Sequence, residues 1–174
     1  MMARLPLYEE VLSLNQDLLN DQLNWITPSY IRENLIHDFR YYQDGALRFF
    51  HYSQATQAFA YRNINHVLFN MATGSGKTDL IAGLILYLYQ EHGYQNFLFL
   101  DNLTNKASDK YLYEPQIVIE GERIDIKKVE TFPKEQSKNT IYIKLATVQR
   151  VASDLYTQKE NAMGEEDYKK HKVA

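Results

Sequence analysis

Apolar and polar positions along the chain predict a run of helices followed by alternating strands and helices. Residues Tyr8 to Leu19 place Val11, Leu12, Leu14, Leu18 and Leu19 behind the acids Glu9 and Glu10. That spacing predicts an amphipathic helix with acids in its first turn. Thr27-Pro28 predicts a helix start, an N-cap followed by Pro, with Tyr30, Ile31, Asn34 and Leu35 sharing a face. Trp25, just ahead, should pack as an anchor. A helix from about Tyr41 to Tyr52 would bury Tyr42, Ala46, Phe49 and Phe50 and present Gln43 near its start. His66-Val-Leu-Phe-Asn70 reads as a strand. The apolar run Leu80 to Tyr89 reads as a helix buried on both sides, as happens under a parallel sheet. Gly93 should cap that helix.

Asn96-Phe-Leu-Phe-Leu-Asp101 reads as a parallel strand, and residues Asn102 to Tyr113 as a loop that becomes a helix. Gln116 to Val129 alternates apolar and polar on either side of Glu120-Gly121-Glu122, which predicts a hairpin or a bulged strand. Phe132 to Asn139 is a polar loop, and Thr140 to Ala146 another strand. Thr147 should cap a helix from Val148 to Tyr156 with Val148, Val151, Ala152 and Leu155 on its apolar face. Gln158 to Asp167 reads as polar, acidic and mobile, and Lys172-Val-Ala174 as the first residues of a strand. Strand, helix, strand with a right-handed crossover is the start of an α/β sheet.

One stretch within this pattern carries chemistry. Met71-Ala-Thr-Gly-Ser-Gly-Lys-Thr78 sits between the apolar run 66–70 and the helix that follows. Glycines there let the backbone approach a polyphosphate and turn its N–H groups inward. A helix starting near Gly76 adds unpaired amides and the positive end of its dipole. Lys77 can reach the β- and γ-phosphates, and the Thr78 hydroxyl can ligate Mg²⁺. Gln43 lies some thirty residues earlier, and its amide can both donate and accept. It is a candidate to pair with N6 and N7 of an adenine; the alternative is a solvated residue at a helix start.

Composition narrows the setting. At 174 residues, 45% apolar and 24% charged, the chain can build one domain with a real core. It has no cysteine, which excludes disulfide and thiolate chemistry and suits the cytoplasm. A net charge of −3 advertises no nucleic-acid partner globally and leaves room for a local basic groove. The N-terminus lacks the apolar core of a signal peptide, and the run Leu80 to Tyr89 is about half of what spans a bilayer. No membrane role is expected. The five histidines have no ligand-like spacing.

Hydrolysis of ATP needs an acid at the end of a neighbouring strand to hold Mg²⁺ and a second acid to position water. Only the strand ending at Asp101 supplies such an acid, and no partner Glu follows it. Two readings stay open. Asp101 is the metal acid, as in small-molecule kinases; or the acid strand begins at Lys172-Val-Ala174 and the sequence is truncated.

The residues resemble a known family. Met71 to Thr78 with its Ala-Gly-Leu-Ile-Leu-Tyr continuation looks like motif I of superfamily 2 helicases. Among these it is most similar to the restriction (Res) subunit of type III restriction endonucleases and to relatives described as DEAD/DEAH-box proteins. Arg40-Tyr-Tyr-Gln43-Asp-Gly-Ala-Leu resembles the family's glutamine motif, Asn96 to Asn102 the strand into motif Ia, and Leu145-Ala-Thr-Val-Gln-Arg150 the following Thr-x-Gln motif. The resemblance implies an α/β fold, a partial RecA-like P-loop domain with a mainly parallel sheet flanked by helices. Residues 1–34 would form a helical N-terminal segment and 35–174 the first ATP-binding lobe, ending before an Asp-Glu-x-His strand. It implies ATP and Mg²⁺ as ligands. Lys77 and Thr78 would be catalytic; Arg40, Gln43, Thr73, Gly74, Ser75, Gly76 and Asp79 would join them around the nucleotide. Asn102, Thr104, Thr147 and Gln149 would contact nucleic acid. The implied whole protein is an ATP hydrolase that translocates on double-stranded DNA and cleaves it with a methyltransferase (modification) subunit. The segment in hand would not turn over by itself. A stand-alone helicase without a nuclease and a P-loop small-molecule kinase are the alternatives.

Overall fold

The computed structural model describes residues 6–13, 25–55, 66–100, 117–156 and 164–174. These fall into two compact units, Met1–Gly83 and Leu84–Ala174.

In the first unit, helix α1 spans Leu7–Leu12, α2 Ser29–Arg32 and α3 Tyr41–Ala55. Helix α4, Lys77–His92, opens in this unit and continues into the second. The first predicted helix is present over Leu7–Leu12; residues 14–24 lie outside the described set. Helix α2 is four residues long and starts one residue after Pro28. Thr27 does not cap it. Its hydroxyl donates to Asp44 Oδ1 at 2.6 Å instead, an acceptor that Arg32 Nη2 also reaches at 3.0 Å. The helix begins at Ser29, so Pro28 and not Thr27 occupies the N-cap position. Trp25 stacks on His51 with centroids 4.5 Å apart.

The buried stripe of α3 differs from expectation. Tyr42, Ala46, Phe49 and Phe50 are half-buried, whereas Gln43, Leu47, Tyr52 and Ser53 are buried. Ranking side chains by apolarity put Gln43 outside. It can be inside because its amide is satisfied by backbone groups. Gly83 on α4 lets Phe39 and Ile31 pack onto that helix: a Cβ there would stand 2.6 Å from the Phe39 ring.

Residues 66–70 were expected to be a strand. They alternate exposed and half-buried, with Leu68 90% exposed, as an extended chain does, but they are in no strand. A strand is defined by its ladder, and among the described residues no neighbour pairs with this segment.

The second unit holds a sheet of β1 Asn96–Leu100, β2 Ile117–Ile119, β3 Glu122–Lys128 and β4 Thr140–Ala146. The order is β1-β4-β3-β2. β4 runs parallel to both β1 and β3, and β2 pairs antiparallel with β3. The sheet is mostly parallel, as expected. The central strand β4 is buried over Thr140 to Lys144. The hairpin forms at Glu120 and Gly121, both at positive φ (53° and 81°), the two-residue turn whose twist matches that of the flanking strands. Residues 173 and 174 extend the ladder on the far side of β1. Val173 bridges Asn96 in parallel, and Leu98 N–H donates to the Ala174 carbonyl at 2.9 Å. The reading of a strand beginning there matches.

Helix α4 is unexposed from Asp79 to Gln90 and ends at Gly93 (φ 65°). Helix α5, Val148–Tyr156, is capped by Thr147, whose Oγ1 accepts the Arg150 N–H at 3.1 Å. The stretch expected to be mobile to Asp167 instead enters helix α6, Glu165–Lys170. Acids fill its first turn and lysines its last, so the run complements a helix dipole. The polar loop before β4 is anchored by Phe132, buried with Tyr142 against Val129, Tyr168 and Val173.

Candidate nucleotide-binding site

The loop 71–76 is built in alternating backbone conformations. Gly74 and Gly76 sit at φ 76° and 77°, while Ser75 and Lys77 do not adopt positive φ. Such alternation gathers successive N–H groups on one concave side, an anion nest. A Cβ at Gly74 would meet nothing, so only its φ demands glycine. At Gly76 a Cβ would also stand 2.6 Å from Gln43 Nε2 and 3.2 Å from Asp79 Oδ2. Ser75 closes the turn, its N–H and its Oγ both donating to the Ala72 carbonyl.

The α4 helix starts at Lys77, and its opening amides have no intrahelical acceptor. Lys77 Nζ curls back over the loop onto the carbonyls of Met71 (2.9 Å) and Ala72 (2.6 Å). Thr73, Gly74, Lys77 and Thr78 are exposed. An ammonium at the loop, two glycines at positive φ and a helix N-terminus are the donor set a triphosphate needs. An exposed hydroxyl at Thr78 suits a Mg²⁺ ligand.

The start of α3 grips this loop. Gln43 Oε1 accepts the Arg40 N–H at 2.7 Å, and Gln43 Nε2 donates to the Gly76 carbonyl at 2.8 Å. Tyr42 Oη donates to the Ser75 carbonyl at 2.9 Å and accepts from Arg40 Nη1 at 3.0 Å. Asp79 Oδ1 lies 3.2 Å from His37 Nδ1. Arg40, Gln43, Ser75, Gly76 and Asp79 are therefore brought together. Tyr42 and His37 were missed. Tyr42 reads as core by its ring, and its position beside Gln43 in the first turn was the available signal.

A sequence model of the family described as "Type III restriction enzyme, res subunit" matches residues 36–171. The chain belongs to this Res-subunit family. It is also 35% identical, over 150 residues, to the "Probable type III restriction-modification enzyme HindVIP Res subunit" of Haemophilus influenzae. That alignment covers 77% of this chain and 29% of the relative. No solved structure matches. Membership of the Res-subunit family does not favour the small-molecule kinase alternative.

The remaining candidates of this Res-family chain separate. Thr147 is half-buried at the α5 cap, and Gln149 is exposed in the first turn of the same helix. Asp101, Asn102 and Thr104 lie outside the described residues. Among the described residues no three His, Asp or Glu side chains converge as a metal cage, and no helix is long and apolar enough to cross a membrane.

Proposed function

We propose that this chain is the ATP·Mg²⁺-binding part of the first motor lobe of a DNA-dependent ATPase, the restriction subunit of a type III enzyme. The observation that carries the reading is the nest at Gly74 and Gly76 with the Lys77 ammonium folded over it. Lys77 would exchange its two carbonyl acceptors for phosphate oxygens. Thr78 would hold Mg²⁺, and Thr73 and Ser75 would line the phosphates. Gln43 would read adenine by turning its amide out of its present buried position, where it bonds the Arg40 N–H and the Gly76 carbonyl. Arg40 and Asp79 would frame the same site. ATP bound there supplies a γ-phosphoryl group for hydrolysis in the whole protein.

The chain spans 29% of the relative it matches, so the wider activity is part of the proposal. Hydrolysis would drive movement along double-stranded DNA, with a methyltransferase (modification) subunit as partner and a cytoplasmic location. Thr147 and Gln149, with Asn102 and Thr104, would position the nucleic-acid backbone without reading sequence. The Thr147 oxygen already accepts an amide, and its proton is what a phosphate would take. Residues 1–34 would form a helical segment ahead of a lobe spanning 35–174.

Calorimetric titration with ATP·Mg²⁺ tests the site. The unaltered chain should bind, and Lys77→Ala should abolish binding here and turnover in the whole enzyme. Equal affinity in Lys77→Ala would overturn the assignment.

A further inference from the structure

We infer that Tyr42 is a positioning residue for the phosphate loop, setting the direction in which the Gly76 amide points. The inference rests on the nucleotide site proposed above and adds a residue to it. A trans peptide holds its C=O and the following N–H in one plane, pointing in opposite directions across the C–N bond, and no cis bond occurs among the described residues. Tyr42 Oη donates to the Ser75 carbonyl at 2.9 Å. The Gly76 N–H in the same peptide unit must therefore point away from Tyr42 and from the start of α3. Gly76, at φ 77°, has no side chain to oppose a rotation of that peptide. The Tyr42 hydroxyl is the brake.

The hydroxyl is itself oriented. Arg40 Nη1 donates to Tyr42 Oη at 3.0 Å, which directs the phenol proton onward to the Ser75 carbonyl. The next peptide is held in the same manner, because the Gly76 carbonyl accepts from Gln43 Nε2 and from the Leu80 N–H. Two consecutive peptides are thus aimed from one helix start. Without Tyr42 the Ser75–Gly76 peptide is the one that turns loose, and an anion must then order it on binding. That cost falls on the phosphates, whatever base is attached.

The test is calorimetry on the chain with Mg·ATP, Mg·GTP and inorganic tripolyphosphate, comparing Tyr42→Phe with the unaltered protein. All three affinities should fall by the same factor, about three- to ten-fold, with stoichiometry unchanged. The amide resonance of Gly76 should shift on adding tripolyphosphate to the unaltered protein and shift less in Tyr42→Phe. Arg40→Met should lower tripolyphosphate affinity in the same direction by a smaller factor. A loss confined to ATP would mean that Tyr42 serves the base, and the inference fails. Unchanged affinity, or a fallen stoichiometry at unchanged affinity, overturns it as well. Failure of the unaltered protein to bind tripolyphosphate or ATP would sink the nucleotide site itself, and this inference with it.

Discussion

The Gln43 amide nitrogen stands 2.8 Å from the Gly76 carbonyl oxygen and would stand 2.6 Å from a Cβ on Gly76. The contact that orders the loop is therefore also what forbids a side chain there. Gly74→Ala would meet positive-φ strain alone, about 1–2 kcal/mol. Gly76→Ala adds the displaced Gln43 hydrogen bond, about 1 kcal/mol more. Urea unfolding at constant slope should rank Gly76→Ala below Gly74→Ala in midpoint. The reverse order would mean that Gln43 moves aside without loss.

Gln43→Ala should cost stability even with no nucleotide present. It removes the acceptor of the Arg40 N–H and the donor to Gly76 from a side chain only 2% exposed. Roughly 1–3 kcal/mol is expected from the buried groups left behind. If Gln43 also reads adenine, the variant should lose preference for ATP over GTP, measured by competitive titration. A variant as stable as the parent would show that these hydrogen bonds contribute nothing net.

Lys144 is buried on the central strand, and its Nζ reaches Tyr168 Oη at 3.0 Å and Asp154 at 3.7 Å. Breaking a buried pair by deleting one partner costs about 3–5 kcal/mol, while an apolar replacement of similar volume is often close to neutral. The pair here is tied to a hydroxyl and lies long, so the lower part of that range applies. Asp154→Ala, which strands the ammonium, should destabilise the chain more than Lys144→Met. Chemical denaturation of the two variants decides it; equal midpoints would refute the argument.

His92 closes α4 with Nε2 buried and without a hydrogen-bond partner. Burial pushes its pKa down, Glu91 opposes, and Lys172, which donates to the His92 carbonyl, adds to the lowering. The ring of Tyr87 lies 5.5 Å away, but its hydroxyl is pushed up to about 12 by burial and stays neutral. A histidine with a depressed folded pKa binds its proton more readily when unfolded. Its contribution is therefore full above the unfolded value near 6.5 and is lost as pH falls below it. Thermal midpoints should drop between about pH 7 and pH 5 more steeply in the unaltered chain than in His92→Gln. Parallel curves would contradict this.

Much of the second unit was legible because its signals are local. Thr140 to Ala146 and Val148 to Tyr156 match their predicted bounds, since a β-branched run and a threonine cap are written in consecutive residues. The Glu120-Gly121 turn was readable for the same reason. The phosphate loop was legible as a motif, and its grip by α3 was not. Tyr42 and Gln43 bond to carbonyls 33 residues away, and no periodicity reports that. Thr27 misled because the helix starts one residue later than Thr27-Pro28 implied, and its hydroxyl bonds Asp44, 17 residues on, a contact no local pattern reports. Residues 66–70 kept the alternation of a strand without its partner, which pattern alone cannot distinguish.

The placement of β4 between β1 and β3, parallel to both, bears on the order of assembly. Parallel neighbours cannot be joined by a tight turn, so neither edge of β4 can zip up from a nearby hairpin. The β2–β3 ribbon can form early, whereas the sheet proper waits until residues 96–100 and 140–146 meet across intervening chain. Such non-local closure is slow and leaves apolar strands uncovered meanwhile. Refolding should therefore be the step at which this chain is most prone to aggregate.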